Sequence, residues 1–342
     1  MKEVIFMAWF KDNLTKQDDL VISSRVRLAR NLTGYPFPIR LNDEKAKEVI
    51  EKISKVLIPL GFERIDFDSI SPVEAASYVE KHYVSPDFTK KAGPHTLFLN
   101  EPCHLAVMAL EEDHLRIQCI EPSLSLEKAY QNVREIESKL DAEFELAFDD
   151  NLGYLTQCPT NLGTGMRASV MLFLPGLTYG GYMNRVMNEL SKSGLTVRGI
   201  YGEGSKAQGC IYQISNQICM GITEEDIITK INDAVSQVRN LEKEACKQIS
   251  KTRMEQIKDE TRRALGVMRY ANLVSSSEFM NLYANVHFGI NLGCIDEIRL
   301  EQLNPLLVEA MPATLTLLSE GDIKNETDRD HARAELLHKL FS

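Results

Sequence analysis

Five arginines in this sequence stand in settings where their side chains could bind phosphate. Arg25 and Arg27 are separated by one residue, so an extended backbone directs both guanidinium groups to the same face. Arg116 follows an acidic cluster, and Arg167 and Arg198 lie beside glycine-rich segments. A guanidinium fork pairs its donors with phosphate oxygens, so several converging arginines could replace a phosphate-binding loop. The alternative for each arginine taken singly is an ordinary solvated surface charge.

The common nucleotide-binding motifs are absent from the sequence. It contains neither the P-loop pattern GxxxxGK(S/T) nor the HRD and DFG motifs of serine, threonine and tyrosine kinases. Residues 163–168 match GxGxxA, but they follow the segment CPTN rather than a strand and lead into a β-type run rather than a helix. They therefore lack the context of a dinucleotide-binding fingerprint.

An acidic cluster, Glu111-Glu112-Asp113, lies between the apolar runs LAVMAL and LRIQCI. A hairpin turn is the simplest interpretation, because turns between strands are usually polar. Carboxylates would also suit one particular nucleophile, a guanidinium group. The pKa of that group lies above ~12, so it attacks only when carboxylates align it and take up its proton. Both interpretations remain open at this point.

Composition excludes several classes of function. The 342 residues include 39 Lys and Arg against 49 Asp and Glu, a net charge of -10 that argues against nonspecific binding to nucleic acid or anionic membranes. No apolar run reaches the ~18 residues of a membrane span, and the N-terminal stretch 4–10 lacks a signal-peptide cleavage site. The seven cysteines form no CxxC pair, which favours reduced thiols. We therefore expect a cytoplasmic protein with no direct nucleic-acid or membrane partner.

Helical periodicity is clear in the N-terminal part of the chain. Residues 43–60 place apolar side chains at helical spacing and are followed by Gly61, which predicts an amphipathic helix. A second helix should begin at Ser71, whose hydroxyl can cap the backbone, with Pro72 in the first helical position. His82 lies near the expected end of this second helix.

The middle of the chain consists of short β-type runs. These are residues 96–99, 105–110, 115–120, 144–148, 168–174, 195–201 and 210–215. Several of the connections are too short for a crossover helix, so we expect a largely antiparallel sheet with helices at 126–140 and 181–192 on one face. The fold class is therefore α+β.

From Thr223 to the end, the sequence reads as helical. The stretch 242–264 is heavily charged and could form a long connecting helix. We place a domain boundary near residue 250, with an α+β domain over residues 1–250 and an all-helical domain over residues 251–342. A small helical bundle of this kind suits dimerisation or regulation.

Four segments in this order resemble the catalytic domain of phosphagen (guanidino) kinases, and more closely that of bacterial protein arginine kinases of the McsB type. They are SSRVRLARN (23–31), EEDHLRIQ (111–118), GYLTQCPTNLGTGMRASVMLFLP (153–175) and RGIYGEGSKAQGCIYQISNQ (198–217). The resemblance implies a glutamine-synthetase-like fold, an antiparallel sheet flanked by helices. It also implies that MgATP is the phosphoryl donor.

The same resemblance implies a set of nucleotide-binding residues. These are Ser23, Ser24, Arg25, Val26, Arg27, His82, Arg116, Arg167, Ala168, Ser169, Val170, Met171, Arg198, Gly199, Ile200, Tyr201, Gly202 and Glu203. His82 would lie against the adenine, while Glu112 and Glu203 would clamp the acceptor guanidinium, with Glu112 as the base. Cys158 occupies the position of the reactive cysteine of phosphagen kinases, although a buried structural thiol is an equally good interpretation.

Two departures from the small-substrate enzymes favour a protein acceptor. Those enzymes carry about a hundred residues of helical domain before the segment that here begins at Ser23, and they lack the helical extension that here follows residue 250. An acceptor site without the preceding domain suits an arginine side chain presented on a protein. The alternatives are a kinase for free arginine or a related metabolite, and a non-catalytic regulator that binds phosphoarginine.

The C-terminal segment matches the RDxxRA motif of protein arginine kinases. It comprises Arg329, Asp330, Arg333 and Ala334, and the resemblance implies a second, allosteric site that binds phosphoarginine. Arg329 and Arg333 are four positions apart and share a helix face, which without the resemblance would be a solvated charged face. The family further suggests a homodimer acting in the stress response. Its expected partners are a stress repressor and unfolded proteins as substrates, a zinc-binding activator protein and a Clp-type protease system.

Overall fold

An eight-stranded antiparallel sheet forms the centre of the molecule in the computed structural model, which describes residues 9, 20–199, 208–319, 321 and 323–341. The strands are β1 (Val21–Arg30), β2 (Glu63–Asp66), β3 (Thr96–Asn100), β4 (Leu105–Ala109), β5 (Leu115–Pro122), β6 (Phe148–Asp149), β7 (Gly153–Tyr154), β8 (Met166–Phe173), β9 (Leu195–Arg198) and β10 (Ile211–Asn216). Their order in the large sheet is β2-β3-β4-β5-β1-β8-β10-β9, and β6 and β7 form a separate hairpin. The expected antiparallel sheet is confirmed.

The register around β1 gives the sheet two different faces. Arg27 lies opposite Gln118 of β5 and Arg167 of β8, so these three side chains share one face. The intervening residues Val26 and Leu28 point to the other face and are fully buried. One face is thus apolar and the other carries polar side chains near its centre.

Eleven α-helices are assigned within the described ranges. They are α1 (Asp43–Leu57), α2 (Pro72–Glu80), α3 (Leu126–Phe144), α4 (Pro175–Tyr179), α5 (Met183–Lys192), α6 (Glu224–Tyr270), α7 (Ser276–Asn291), α8 (Leu300–Leu303), α9 (Leu306–Glu309), α10 (Pro312–Leu318) and α11 (Glu326–Phe341). Helices α1, α3, α5 and the first part of α6 pack on the apolar face and form one hydrophobic core with it. This arrangement confirms the expectation of helices on one side of the sheet.

Capping residues and a glycine in the sequence correctly predicted several helix ends. Ser71 accepts a hydrogen bond from the backbone of Glu74, and Thr223 forms a capping box at the start of α6. Gly61 adopts a φ of 84°, a left-handed conformation that glycine reaches without strain, just after the turn that extends α1.

Two sequence predictions about element bounds were wrong. A strand was expected at 144–148, but the apolar stripe of α3 keeps the chain helical to Phe144, and only Phe148–Asp149 is extended. His82 lies two residues beyond the end of α2, with a φ of 62°, rather than within the helix.

The C-terminal helices pack on the polar face of the sheet, at the end away from the arginines. Helix α6 continues past residue 250 to a kink at Arg253, where the backbone leaves the helical conformation with a φ of -132° and a ψ of 17°, and a second helical part follows. Phe173 of β8 stacks on His287 of α7, with ring centroids 3.8 Å apart, and both belong to a region where sheet and C-terminal helices meet. The division into domains 1–250 and 251–342 stays a prediction. Among the helices described, none is long and apolar enough to cross a membrane.

Candidate active site

The five arginines singled out from the sequence line one cleft on the polar face of the sheet. The cleft has a volume of about 540 Å³. Its arginines are Arg25, Arg27, Arg116, Arg167 and Arg198, which come from β1, β5, β8 and β9. They meet because antiparallel register places alternate residues of neighbouring strands on the same face. The structure therefore brings together a floor of guanidinium groups that are distant in sequence.

Burial and the repulsion between neighbouring arginines lower the pKa of two guanidinium groups in this floor. Burial, together with the charges of Arg116 and Arg167, lowers the pKa of Arg25 to about 10. Burial and the charges of the other arginines lower the pKa of Arg27 well below its usual value, while Glu111 opposes the shift. An anion carrying several charges would relieve this repulsion, so the floor suits a polyphosphate.

Glu111 balances part of the positive charge and is not free to face an acceptor. Its carboxylate accepts a hydrogen bond from Arg116 at 2.6 Å and another from the Ser85 hydroxyl at 2.5 Å. The Lys91 ammonium donates to the Glu111 backbone carbonyl at 2.8 Å. Glu111 therefore orients Arg116 and is itself held by the segment that follows α2.

Glu112 lies at the turn between β4 and β5, where the arginine cleft meets a second cavity. This second cavity has a volume of about 490 Å³, and Glu112 is the one acidic residue, among those described, that lines both spaces. Burial raises the pKa of Glu112, as do the nearby charges of Asp113 and Glu111, whereas Arg116 and a hydrogen bond from Cys158 lower it. A carboxylate in this position can align a cationic group and accept its proton.

The remaining residues of the EEDH segment hold the turn in place. The Asp113 carboxylate accepts hydrogen bonds from the Asn31 side chain at 2.6 Å and from the Gln157 backbone at 2.7 Å. The His114 backbone N–H donates to the Asn31 side chain at 2.9 Å. Both Asp113 and His114 are buried, so their role is structural. Of the EEDH segment, Glu112 is the residue that lines both cavities.

His82 borders the opposite end of the cleft. Gln118 donates hydrogen bonds to the carbonyls of His82 and Tyr83, at 3.0 and 2.9 Å, and so fixes the backbone there. Burial, and to a lesser degree the charge of Arg25, lowers the pKa of His82 to about 3. The neutral ring, whose centroid lies 6.2 Å from that of Trp9, therefore offers an aromatic face next to the arginine floor.

Four of the expected nucleotide-binding residues do not direct their side chains into the cleft. Val26, Ala168 and Val170 point to the apolar face and are fully buried there. The Ser24 hydroxyl donates to the Ser123 carbonyl at 2.8 Å and accepts from the Ser125 backbone at 2.9 Å. A contiguous strand segment necessarily contributes only every second side chain to one face, so these four residues could reach a nucleotide only through their backbone, and their binding role stays a prediction.

The other expected residues divide into two groups. Ser23, Ser169 and Met171 share the face of the arginines and line a small gap between the strands and His82. Gly199 follows β9, and its neighbours Ile200, Tyr201, Gly202 and Glu203 lie outside the described residues.

The glycine-rich loop permits close backbone packing. Gly163 has a φ of 101°, and a Cβ atom there would come within 2.2 Å of the Cys219 carbonyl oxygen. This contact brings the loop that follows Cys158 against the segment after β10, where Cys158 and Cys219 both line the second cavity. Cys158 is half-buried, with its sulfur 3.0 Å from the Thr160 hydroxyl, so the interpretation as a buried thiol was wrong.

Sequence reasoning missed several residues that line the cleft. They are Ser85, Lys91, Gln118, Gln157, Gln213 and Ser215. Gln118 follows Arg116 by two positions, and Gln213 lies directly opposite Arg198, so strand alternation could have found both. Ser85 and Lys91 precede β3 in a segment without regular periodicity, and no local signal indicates them.

The C-terminal RDxxRA segment forms structural contacts in this conformation. Arg333 is fully buried and donates to the carbonyls of Ala310 and Val274, to the Ser276 hydroxyl and to Asp330. Arg329 is half-buried one turn earlier in α11, and Ala334 belongs to the core. Arg333 therefore lies neither on a solvated helix face nor in an open anion site. Phosphoarginine would have to replace these hydrogen bonds in order to bind its guanidinium group. Its allosteric role stays a prediction.

The sheet, the arginine floor and the carboxylate between two cavities define a phosphotransferase site for a polyphosphate donor and a cationic acceptor. Comparison with known proteins agrees with this class. Residues 44–245 match the family described as ATP:guanido phosphotransferase, C-terminal catalytic domain. Residues 254–342 match the family described as protein-arginine kinase McsB C-terminal domain.

Two relatives of similar length show to which group within this family the chain belongs. A protein-arginine kinase of Clostridium acetobutylicum is 41% identical over 325 residues, which cover 94% of this chain and 95% of the relative. A protein-arginine kinase of Bacillus thuringiensis subsp. konkukian is 39% identical over 339 residues, which cover 97% and 94%. The chain therefore belongs to the protein-arginine kinases within the ATP:guanido phosphotransferase family.

Solved structures show the same fold. A lombricine kinase has a TM-score of 0.57 at 23% identity, and the match covers 67% of this chain and 68% of that one. A substrate-free duplicated taurocyamine kinase from Schistosoma mansoni has a TM-score of 0.59 at 25% identity, with coverage of 80% and 41%. The expected guanidino-kinase-like architecture is confirmed by these likenesses.

Proposed function

We propose that the chain transfers the γ-phosphoryl group of MgATP to the guanidinium group of arginine side chains in proteins. The observation that carries this proposal is the position of Glu112, the one acidic residue among those described that lines both the arginine cleft and the second cavity. The two spaces adjoin and share Arg27, Arg116, Arg167 and Arg198. Phosphoryl transfer requires in-line positioning and charge neutralisation more than covalent chemistry, and the site offers both.

The arginine cleft is the site proposed for the nucleotide. Burial and, after it, repulsion from the other arginines lower the pKa values of Arg25 and Arg27, and the negative charge of a triphosphate would relieve the repulsion. Mg²⁺ supplies further charge neutralisation when it is bound. The described residues contain no group of three or more His, Cys, Asp or Glu side chains suited to a metal ion, so we propose that Mg²⁺ enters on the nucleotide phosphates. His82 would lie against the adenine.

The second cavity is the site proposed for the acceptor. Glu112 would align the guanidinium group by accepting its N–H bonds, and it would take up the proton lost on phosphorylation. Cys158 donates a hydrogen bond to Glu112 and borders the same cavity. Glu203 is proposed as a second carboxylate of this clamp. The protein nature of the acceptor is supported by the relatives, which bear the name protein-arginine kinase and match over nearly their whole length.

The wider context is proposed on the same basis. The match of residues 254–342 to the C-terminal domain of protein-arginine kinases supports regulation through that region, with phosphoarginine as effector and a homodimer as the assembly. We further propose a cytoplasmic stress-response role with a zinc-binding activator protein and a Clp-type protease as partners. All seven cysteines are unpaired, which suits a reducing compartment.

The proposal is tested by supplying radiolabelled ATP together with an arginine-rich protein. The matched control is the same protein with its arginines replaced by lysine. A phosphorus–nitrogen bond is acid-labile, so the expected result is acid-labile label on the arginine-containing protein only. Equal labelling of the lysine version, or label that survives acid, would contradict the assignment of arginine as acceptor.

A further inference from the structure

A half-buried carboxylate joins the C-terminal helices to the wall of the nucleotide cleft. Glu80 is the last residue of α2, and its side chain accepts hydrogen bonds from the backbone N–H of Ala313 at 2.8 Å and of Thr314 at 2.7 Å. The Thr314 hydroxyl adds a third bond at 2.7 Å. The carboxylate thus satisfies two N–H groups at the start of α10 that have no partner within that helix.

An open cavity lies beside this contact, although α2 and α10 pack directly against each other. The cavity has a volume of about 430 Å³, and its lining includes Val79, Pro86, Met280 and Met311. Val79 and Pro86 also line the arginine cleft, so the end of α2 is a thin wall between the two spaces. Dispersion contacts are missing on the side of the wall that faces the cavity, and the hydrogen bonds of Glu80 add directional contacts to the packing of α2 on α10.

The same end of α2 leads directly into His82. His82 follows Glu80 by two residues, and its left-handed conformation turns the chain into the cleft. Its carbonyl is held by Gln118 from the floor of the sheet. The end of α2 is consequently held on two sides, by Gln118 from the sheet and by Glu80 from α10.

We propose that Glu80 is a positioning residue for the nucleotide: by fixing the end of α2 to α10, it holds His82 in place against the base. The inference rests on the proposed function, because it requires a nucleotide in the arginine cleft. According to this inference, the C-terminal helix α10 helps to position a residue of the nucleotide site. The arginine floor, which belongs to the sheet, does not indicate such a role.

The contact also lies close to the RDxxRA segment. Arg333 donates to the Ala310 carbonyl at 2.8 Å, three residues before Ala313. A series of contacts thus runs from Arg333 through the turn before α10 to Glu80 at the end of α2.

The test compares two ligands by calorimetry, ADP and inorganic tripolyphosphate. Glu80→Gln removes the charge and one acceptor, and Thr314→Val removes one donor while keeping the shape of the side chain. Both changes should weaken ADP binding, Glu80→Gln by about tenfold and Thr314→Val by about threefold, on the usual scale of such hydrogen bonds. Tripolyphosphate should bind all variants equally, because it uses only the arginine floor. Glu74→Gln, on the same helix, is the control and should leave both affinities unchanged.

A double-mutant cycle separates positioning from general loss of structure. If Glu80 acts through His82, Glu80→Gln should add nothing to the loss of ADP affinity already caused by His82→Ala. Unchanged ADP affinity in both Glu80→Gln and Thr314→Val, an equal loss of tripolyphosphate binding, or additive effects in the cycle would each overturn the inference. Failure of the wild-type protein to bind ADP would instead overturn the proposed function, and the inference with it.

Discussion

Replacing Glu112 by glutamine keeps the size of the side chain and removes its charge, so it isolates the role of the carboxylate. The amide cannot take up the proton of an attacking guanidinium group. General-base catalysis typically contributes ~10² to 10⁴ in rate, and we expect the turnover of Glu112→Gln to fall by a factor in this range. Nucleotide affinity should be retained or slightly increased, because a negative charge near Arg116 is removed while the arginine floor stays intact.

The pH dependence of the rate gives this prediction a second, independent readout. Burial and the neighbouring carboxylates raise the pKa of Glu112 above its ordinary value of 4.5. A base must be deprotonated, so wild-type activity should fall as the pH drops through this raised pKa, at a higher pH than an ordinary glutamate would give. The residual activity of Glu112→Gln should lack that step.

Steady-state kinetics with a protein acceptor, measured across the acid range, provide the assay, and ADP calorimetry checks the nucleotide site. Asp113→Asn is a useful comparison, since it keeps an oxygen that accepts the hydrogen bonds from Asn31 and Gln157 and leaves Glu112 charged. Near-normal turnover in Glu112→Gln, or an unchanged acid step in its profile, would remove Glu112 from the mechanism.

Three further predictions follow from the described contacts. Arg198→Ala should weaken ADP binding by about tenfold or more, as expected for a lost charge-assisted phosphate contact, whereas Arg185→Ala at an exposed position should not. Equal ADP affinities of wild type and Arg198→Ala by calorimetry would contradict the assignment of Arg198 to the nucleotide site. Arg30→Met should lower the free energy of unfolding by about 3–5 kcal/mol, because it leaves the buried Glu137 without its inner partner and removes a cation over the Tyr154 ring. Urea titrations measure this loss, and a value well under about 1 kcal/mol would refute the prediction. Arg329→Ala should reduce phosphoarginine binding at an unchanged melting temperature, while Arg333→Ala should lower both; wild-type binding in the two variants would return the motif to a purely structural role.

Strand alternation explains why the sequence located the arginine floor. Arg25 and Arg27 occupy alternate positions of one strand, and the expectation that they share a face holds in the structure. The same rule, applied residue by residue, predicts that the side chains of Val26 and Val170 point to the other face, as the structure shows.

Long-range contacts explain most of what the sequence did not reveal. Glu80 and Ala313 are 233 positions apart, and Arg333 reaches Val274 across 59 positions. No local pattern indicates the contacts of the half-buried Glu80 or the buried Arg333, since their partners are brought near only by the packing of the C-terminal helices on the sheet. For the same reason, the RDxxRA segment resembles a solvated helix face in sequence, whereas Arg333 is buried and hydrogen-bonded in the structure.

The central claim, transfer to arginine side chains of proteins, is tested most directly by competition between two acceptors. The enzyme is incubated with ATP, an arginine-rich protein and free arginine at equal arginine concentration, and both products are quantified by mass spectrometry. We predict that phosphoarginine forms on the protein, with free arginine almost unmodified. Phosphorylation of free arginine at an equal or greater rate, or of residues other than arginine in the protein, would contradict the claim.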